Sequence, residues 1–128
     1  MSEIALGTFD VKLQPGPSEL DGAVSRFELS KTFRGDLEAV GAGVMLSCGD
    51  PQSGSAGYVA IETVRGRLSG REGGFALQQL GLVRAGSQTL YYEVVPGSGD
   101  GELQNITGTF HLTIDDNGTH RFELVYEF

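Results

Sequence analysis

The sequence predicts an all-β fold, an eight-stranded antiparallel barrel closed in meander order, and three observations lead there. Twenty glycines stand against 4 prolines, with β-branched and aromatic residues between them, the composition of many strands joined by tight turns. Apolar and polar residues alternate at period two in segment after segment. No segment shows the 3.6-residue periodicity of an amphipathic helix, and the nearest approach is a single turn near Glu102–Ile106.

The alternation is explicit. Phe27, Leu29 and Phe33 share one parity, with Arg26, Glu28, Thr32 and Arg34 opposite; Tyr58, Ala60, Val64 and Leu68 share another, as do Phe75, Leu77, Gly81 and Val83. Phe110, Leu112 and Ile114 precede a last strand carrying Phe122, Leu124, Tyr126 and Phe128. Strands are expected near 4–13, 24–34, 36–47, 57–68, 72–84, 88–95, 107–114 and 119–127. Gly35, Gly70 and Gly86 mark reversals, and Asn117-Gly118 is expected to supply the positive φ angles of a hairpin turn. With no helix to cover a sheet, a sandwich or a barrel buries one face of each strand, and long, evenly spaced hairpins favour a barrel.

The 128 residues fall within one domain, 1–128, long enough to bury a core without disulfide or metal. Cys48 stands alone, so no internal disulfide forms, and a thiol before Gly-Asp-Pro is expected to be an ordinary loop residue. Seventeen acids against 9 bases give a net charge of −8. Nucleic acid is not an expected partner, because phosphate binding needs a cationic footprint; neither is an anionic membrane surface. Outer-membrane barrels use an alternation like that of Phe122-x-Leu124-x-Tyr126-x-Phe128, but no export signal accompanies it here. A cytoplasmic protein is the expectation.

Glu62 is the most informative residue. It shares the apolar parity of Tyr58, Ala60 and Val64, so it points into the barrel, where an unpaired carboxylate is costly. Lys31, between Leu29 and Phe33 on the apolar parity of its own strand, is the natural partner. Two roles follow: Glu62 as general base or charge stabiliser in an apolar pocket, or a Lys31–Glu62 pair that fixes strand register. Gln79 and Tyr92 add polar groups to the interior, with Tyr58 at a mouth. Together with Phe27, Leu29, Phe75, Leu77, Phe110 and Tyr126 they make either a small-molecule pocket or an ordinary filled core.

Other motifs carry less. Pro96-Gly97-Ser98-Gly99-Asp100-Gly101 lacks the Gly-Lys-Ser/Thr ending of a phosphate loop, and Asp100 and Glu102 repel phosphate, so a structural turn is expected. His111 and His120 are expected to face outward beside the Asn117-Gly118 hairpin, too sparse a set for a metal site. No cofactor motif and no Gly-x-Ser-x-Gly nucleophile appear.

Three stretches carry a family resemblance: Lys31-Thr32-Phe33-Arg34-Gly35-Asp36-Leu37, Glu62-Thr63-Val64-Arg65-Gly66 running on to Gly74-Phe75-Ala76-Leu77-Gln78, and Val94-Val95-Pro96-Gly97-Ser98-Gly99-x-Gly101-Glu102-Leu103. With Gly7-Thr8-Phe9, they resemble the bacterial domain-of-unknown-function family 3224, whose fold is similar to the allene oxide cyclase barrel. The resemblance implies a small closed barrel, often self-associating, and no assigned activity. The family often carries His where this chain has Gln79, and Thr where Asp100 stands, so an acid/base group of its relatives is missing here. Allene oxide cyclases also place a carboxylate inside an apolar barrel, an analogy of fold.

Three functions are consistent with these residues. The foremost is binding of a small apolar or amphipathic molecule in the lumen. The second is an isomerase or cyclase with Glu62 as base or charge stabiliser; confinement does most of the work in such chemistry and leaves little sequence trace. The third is an interaction protein with a filled core. Outward apolar residues such as Val59, Ile61 and Val125 point to self-association, with a dimer the first expectation.

Overall fold

In the computed structural model, which describes residues 2–128, the expected strands are present and one short strand is added. They are β1 (Glu3–Pro15), β2 (Ser25–Gly35), β3 (Leu37–Asp50), β4 (Ser55–Leu68), β5 (Arg71–Arg84), β6 (Ser87–Val94), β7 (Asp100–Gly101), β8 (Thr107–Ile114) and β9 (His120–Glu127). Every pairing is antiparallel. Consecutive long strands are neighbours, β1 pairs with β9, and the β4–β5 pairing closes the ring. The result is an eight-stranded meander barrel with β7 as an accessory.

Inward residues match the parities read from the sequence. Phe33, Phe75, Leu77, Phe110, Phe122 and Leu124 are all buried, and Phe9 of β1 joins them. Phe122, Leu124 and Tyr126 point into the lumen while Arg121, Glu123 and Glu127 are exposed, the reverse of a barrel that presents apolar residues to lipid. No helix among the described residues is long and apolar enough to cross a membrane.

The two ends of the barrel differ. At one end the β2–β3 and β4–β5 turns and the segment 95–106 converge, and Leu37, Leu68, Leu103 and Ile106 are completely buried. Beyond Val94, β5 lacks a continuous neighbour. β6 meets β8 only at Glu93 and Thr109, and the segment 95–106 covers the gap, with β7 pairing to Gly73 and Gly74. Asp100 accepts from the Gly74 N–H at 2.8 Å and pairs with Arg65, Ser98 accepts from the Ala76 N–H at 2.9 Å, and Glu102 accepts from the Glu72 N–H at 3.1 Å. The glycine-rich run is therefore a latch whose acidic side chains satisfy backbone donors of β5, in agreement with a structural turn. At the other end Val11, Phe27, Met45, Tyr58, Val83, Leu90 and Leu112 are only partly buried and form a mouth.

Three local expectations are corrected. Residues 102–106 form reverse turns rather than a helical one, with Leu103 N–H donating to the Asp100 carbonyl and Ile106 N–H to that of Leu103; the short helical turns are instead at Leu20–Gly22 and Pro51–Ser53. In the Asp115–Thr119 hairpin only Gly118 has positive φ, because Asp115 caps the turn through the N–H groups of Asn117 and Thr119. Positive φ falls instead on Ser69-Gly70 and Ala85-Gly86, the two-residue hairpin turns. His120 shares the parity of Phe122, so it faces the lumen, its ring 5.1 Å from that of Phe9, while His111 is exposed on the outer face. The two histidines occupy opposite sides of the wall.

Candidate ligand-binding site

Three strands deliver one polar cluster to the middle of the lumen: Lys31 from β2, Glu62 from β4 and Tyr92 from β6. Lys31 and Glu62 are separated by a whole strand, yet they meet because β3 presents only Ala39, Gly41 and Gly43 between them, in register with Phe33, Lys31 and Leu29. A Cβ on Gly41 would lie 3.2 Å from the Phe33 ring and 3.4 Å from Glu62 Oε2. A larger side chain there would fill the path between the two charges.

The cluster is almost fully out of water, with Lys31 6% exposed and Glu62 1%. The Lys31 ammonium donates to Glu62 Oε1 at 2.9 Å and to the Tyr92 hydroxyl at 2.6 Å. Tyr92 in turn donates to the same Oε1. The ammonium also lies 4.9 Å and 5.1 Å from the ring centroids of Phe9 and Tyr92, where the negative ring faces favour a cation. All donors converge on one carboxylate oxygen. Glu62 Oε2, equally buried, has no hydrogen-bond partner among the described residues, an uncommon and costly state for a buried acceptor.

Burial lowers the Lys31 pKa, and the Glu62 charge and hydrogen bond oppose that shift. Burial holds the Tyr92 phenol well above a free tyrosine, with the Glu62 charge and hydrogen bond adding to it. Tyr58 is raised for the same first reason, then by the Glu62 charge.

Toward the mouth, Leu29 and Ala60 form the next apolar layer. Beyond them Tyr58 donates to Gln79 Oε1 at 2.8 Å. Tyr58 lies over Gly81, where a Cβ would come 2.1 Å from the ring. The structure thus brings Lys31, Glu62 and Tyr92 into direct contact and ranges Leu29, Gln79, Tyr58 and Phe27 above them. Leu77 and Phe110 stand beside the cluster, Leu77 in register with Glu62 and the Phe110 ring 4.4 Å from that of Tyr92. Phe75 and Tyr126 lie toward the latched end, where the Tyr126 hydroxyl meets Ser69 Oγ at 3.4 Å.

Phe9, Phe33 and Phe122 also surround the cluster without being among the expected site residues, although the parity of Phe33 and Phe122 marks those two as inward. Sequence reasoning also did not use the small residues of β3. Ala39, Gly41 and Gly43 share one parity, and that was the legible sign of a gap between the neighbouring strands.

The comparisons agree with this architecture. The family model described as "Protein of unknown function (DUF3224)" matches residues 5–126. A crystal structure of a protein with unknown function from the DUF3224 family of Shewanella oneidensis MR-1 is similar at a TM-score of 0.92 and 45% identity, over 100% of this chain and 98% of that one. Curated proteins yield no match.

Proposed function

The chain belongs to the DUF3224 family, and from that premise, which carries no activity with it, we propose that the barrel binds one small amphipathic molecule in the mouth half of its lumen. The apolar body lies against Phe27, Leu29 and Tyr58, and a neutral hydroxyl or amide N–H reaches Glu62 Oε2. The observation that carries this is the asymmetry of Glu62: Lys31 and Tyr92 both hold Oε1, and Oε2 is buried without a donor. A carboxylate immobilised through one oxygen offers the other as a preorganised acceptor. It selects for a donor and against an anion, because like charges in a low-dielectric lumen repel strongly.

The test uses n-decanol and decanoate, which share a chain length and differ in the head group, as probes for NMR titration of the labelled protein. Decanol is expected to shift the amides of Leu29, Ala60, Glu62 and Gln79, and decanoate to bind about tenfold or more weakly, a difference of roughly 1.4 kcal/mol. Glu62→Gln removes the charge and should erase that preference. Shifts confined to the outer face, or none with either probe, refute the proposal.

The same titration separates binding from a filled-core barrel whose function lies on its surface. That possibility draws on the rings of Phe9, Phe33, Tyr92, Phe110 and Phe122, which pack at centroid separations of 4.4–6.2 Å across the lumen. An isomerase or cyclase using Glu62 as base would show itself if Glu62→Gln retained binding of a substrate and abolished its turnover.

A further inference from the structure

The outer wall carries an apolar face that the lumen does not explain. Val44 and Leu46 on β3, Val59 and Ile61 on β4, Leu80 on β5 and Tyr91 on β6 line a depression of about 600 Å³ between the strands. They follow from register: Leu46 pairs with Val59, Val59 with Leu80 and Leu80 with Tyr91 across four strands, and Val44 pairs with Ile61 in the next row. Outward positions elsewhere are mostly charged or polar, as with Lys12, Glu28, Arg34, Arg65, Arg121 and Glu123. Val125 belongs to a separate spot, in register with Ile4 on β1.

We infer that this β3–β6 face is where a second copy of the chain docks, forming a two-fold dimer. Three observations select that occupant. Five of the six side chains are between 36% and 59% exposed and Leu46 is half-buried; a contiguous apolar patch of this kind presents on the order of 300–600 Å² of surface. A standard interface removes about 800 Å² per partner, a little over half of it apolar, so the face matches what one copy of a stable dimer contributes. Each copy also carries a net charge of −8, and Glu93 on β6 is the one charged residue among those lining this face, so two copies meet here with most of their acidic groups apart. Lastly, the patch suits its own image. Tyr91, 59% exposed, stands on the β6 side, and Val44 and Leu46 stand on the β3 side. A two-fold axis through the central row places each Tyr91 over the other copy's Val44 and Leu46, a large aromatic meeting an apolar depression. The barrel is closed, so pairing occurs face to face rather than by strand addition.

Sedimentation velocity of the full chain over a concentration series tests this. The wild type is expected to sediment as a dimer, and Leu80→Glu to raise the dissociation constant about 30-fold or more. Val40→Glu, on the outer face of β3 but off the patch, should leave the dimer intact. Tyr91→Ser, a milder change at an exposed position, decides the matter if circular dichroism shows Leu80→Glu to be unfolded. A monomer at every concentration overturns the inference. So does a dimer that survives both Leu80→Glu and Tyr91→Ser, or one abolished by Val40→Glu.

Discussion

Replacing Lys31 by Met tests the energetics of the buried cluster. The substitution keeps an unbranched apolar stem of similar length and removes the ammonium. Two charge-assisted hydrogen bonds are lost, at 2.9 Å to Glu62 and 2.6 Å to Tyr92, and a carboxylate that already has one unpartnered oxygen loses its counter-charge. Removing one member of a buried ion pair costs about 3–5 kcal/mol. In a chain of this length that corresponds to a fall in Tm of roughly 10–20 °C. Making the whole cluster apolar, as Lys31→Met/Glu62→Leu/Tyr92→Phe, leaves no stranded polar group. Its stability should return to wild type or exceed it, by up to about 4 kcal/mol. Tyr92 must be included, because its hydroxyl would otherwise lose its acceptor at a cost of about 1–3 kcal/mol. Urea unfolding followed by circular dichroism at neutral pH gives the comparison, with an unchanged m-value required for each variant. A Lys31→Met cost below about 1 kcal/mol, or a triple variant as unstable as the single one, refutes the account of the cluster as mutually dependent charges.

At alkaline pH the raised Tyr92 and Tyr58 phenols keep their protons in the folded state after an unfolded tyrosine has lost its own at about 10. The folded state then binds more protons, so stability falls as pH rises above about 10. Lys31, lowered by burial, acts in the opposite sense: between its folded and unfolded pKa the unfolded chain holds the extra proton, and stability rises with pH there. Tyr92→Phe isolates the first effect and should flatten the alkaline fall in urea midpoints; an equally steep fall in the variant counts against it. Ile106→Ala, at a fully buried position of the latch, is expected to cost about 2–5 kcal/mol in urea unfolding, and a loss under about 1 kcal/mol would mean that segment 95–106 does not close the barrel end. Ala85→Asn, at φ +50° in a hairpin turn, should stabilise by about 0.5–1 kcal/mol, since Asn tolerates the left-handed region; a lower Tm refutes that.

Much of this molecule was legible because strand geometry is local. Successive side chains point to opposite faces, so Phe27, Leu29, Lys31 and Phe33 had to share a side, and Glu62 had to lie inward with Ala60 and Val64. His120 obeys the same rule: it shares the parity of Phe122 and lies inside, against Phe9. The helical turn expected at 102–106 did not form. A glycine-rich run has several local options, and the unpaired N–H groups of Glu72, Gly74 and Ala76 chose among them.

The sequence by itself determined which residues face the lumen and that a lysine and a carboxylate are among them, because a two-residue period needs no knowledge of neighbours. Only the tertiary structure decided which inward residues touch. Lys31 reaches Glu62 across β3, and Tyr92 joins them from β6, through registers set by the closure of the ring. Register also gathered Leu46, Val59, Leu80 and Tyr91 into one outward row from four separate strands. Adjacency across a barrel depends on how far each strand is shifted against the next, and that shift is settled by packing and hydrogen bonding of the whole ring at once.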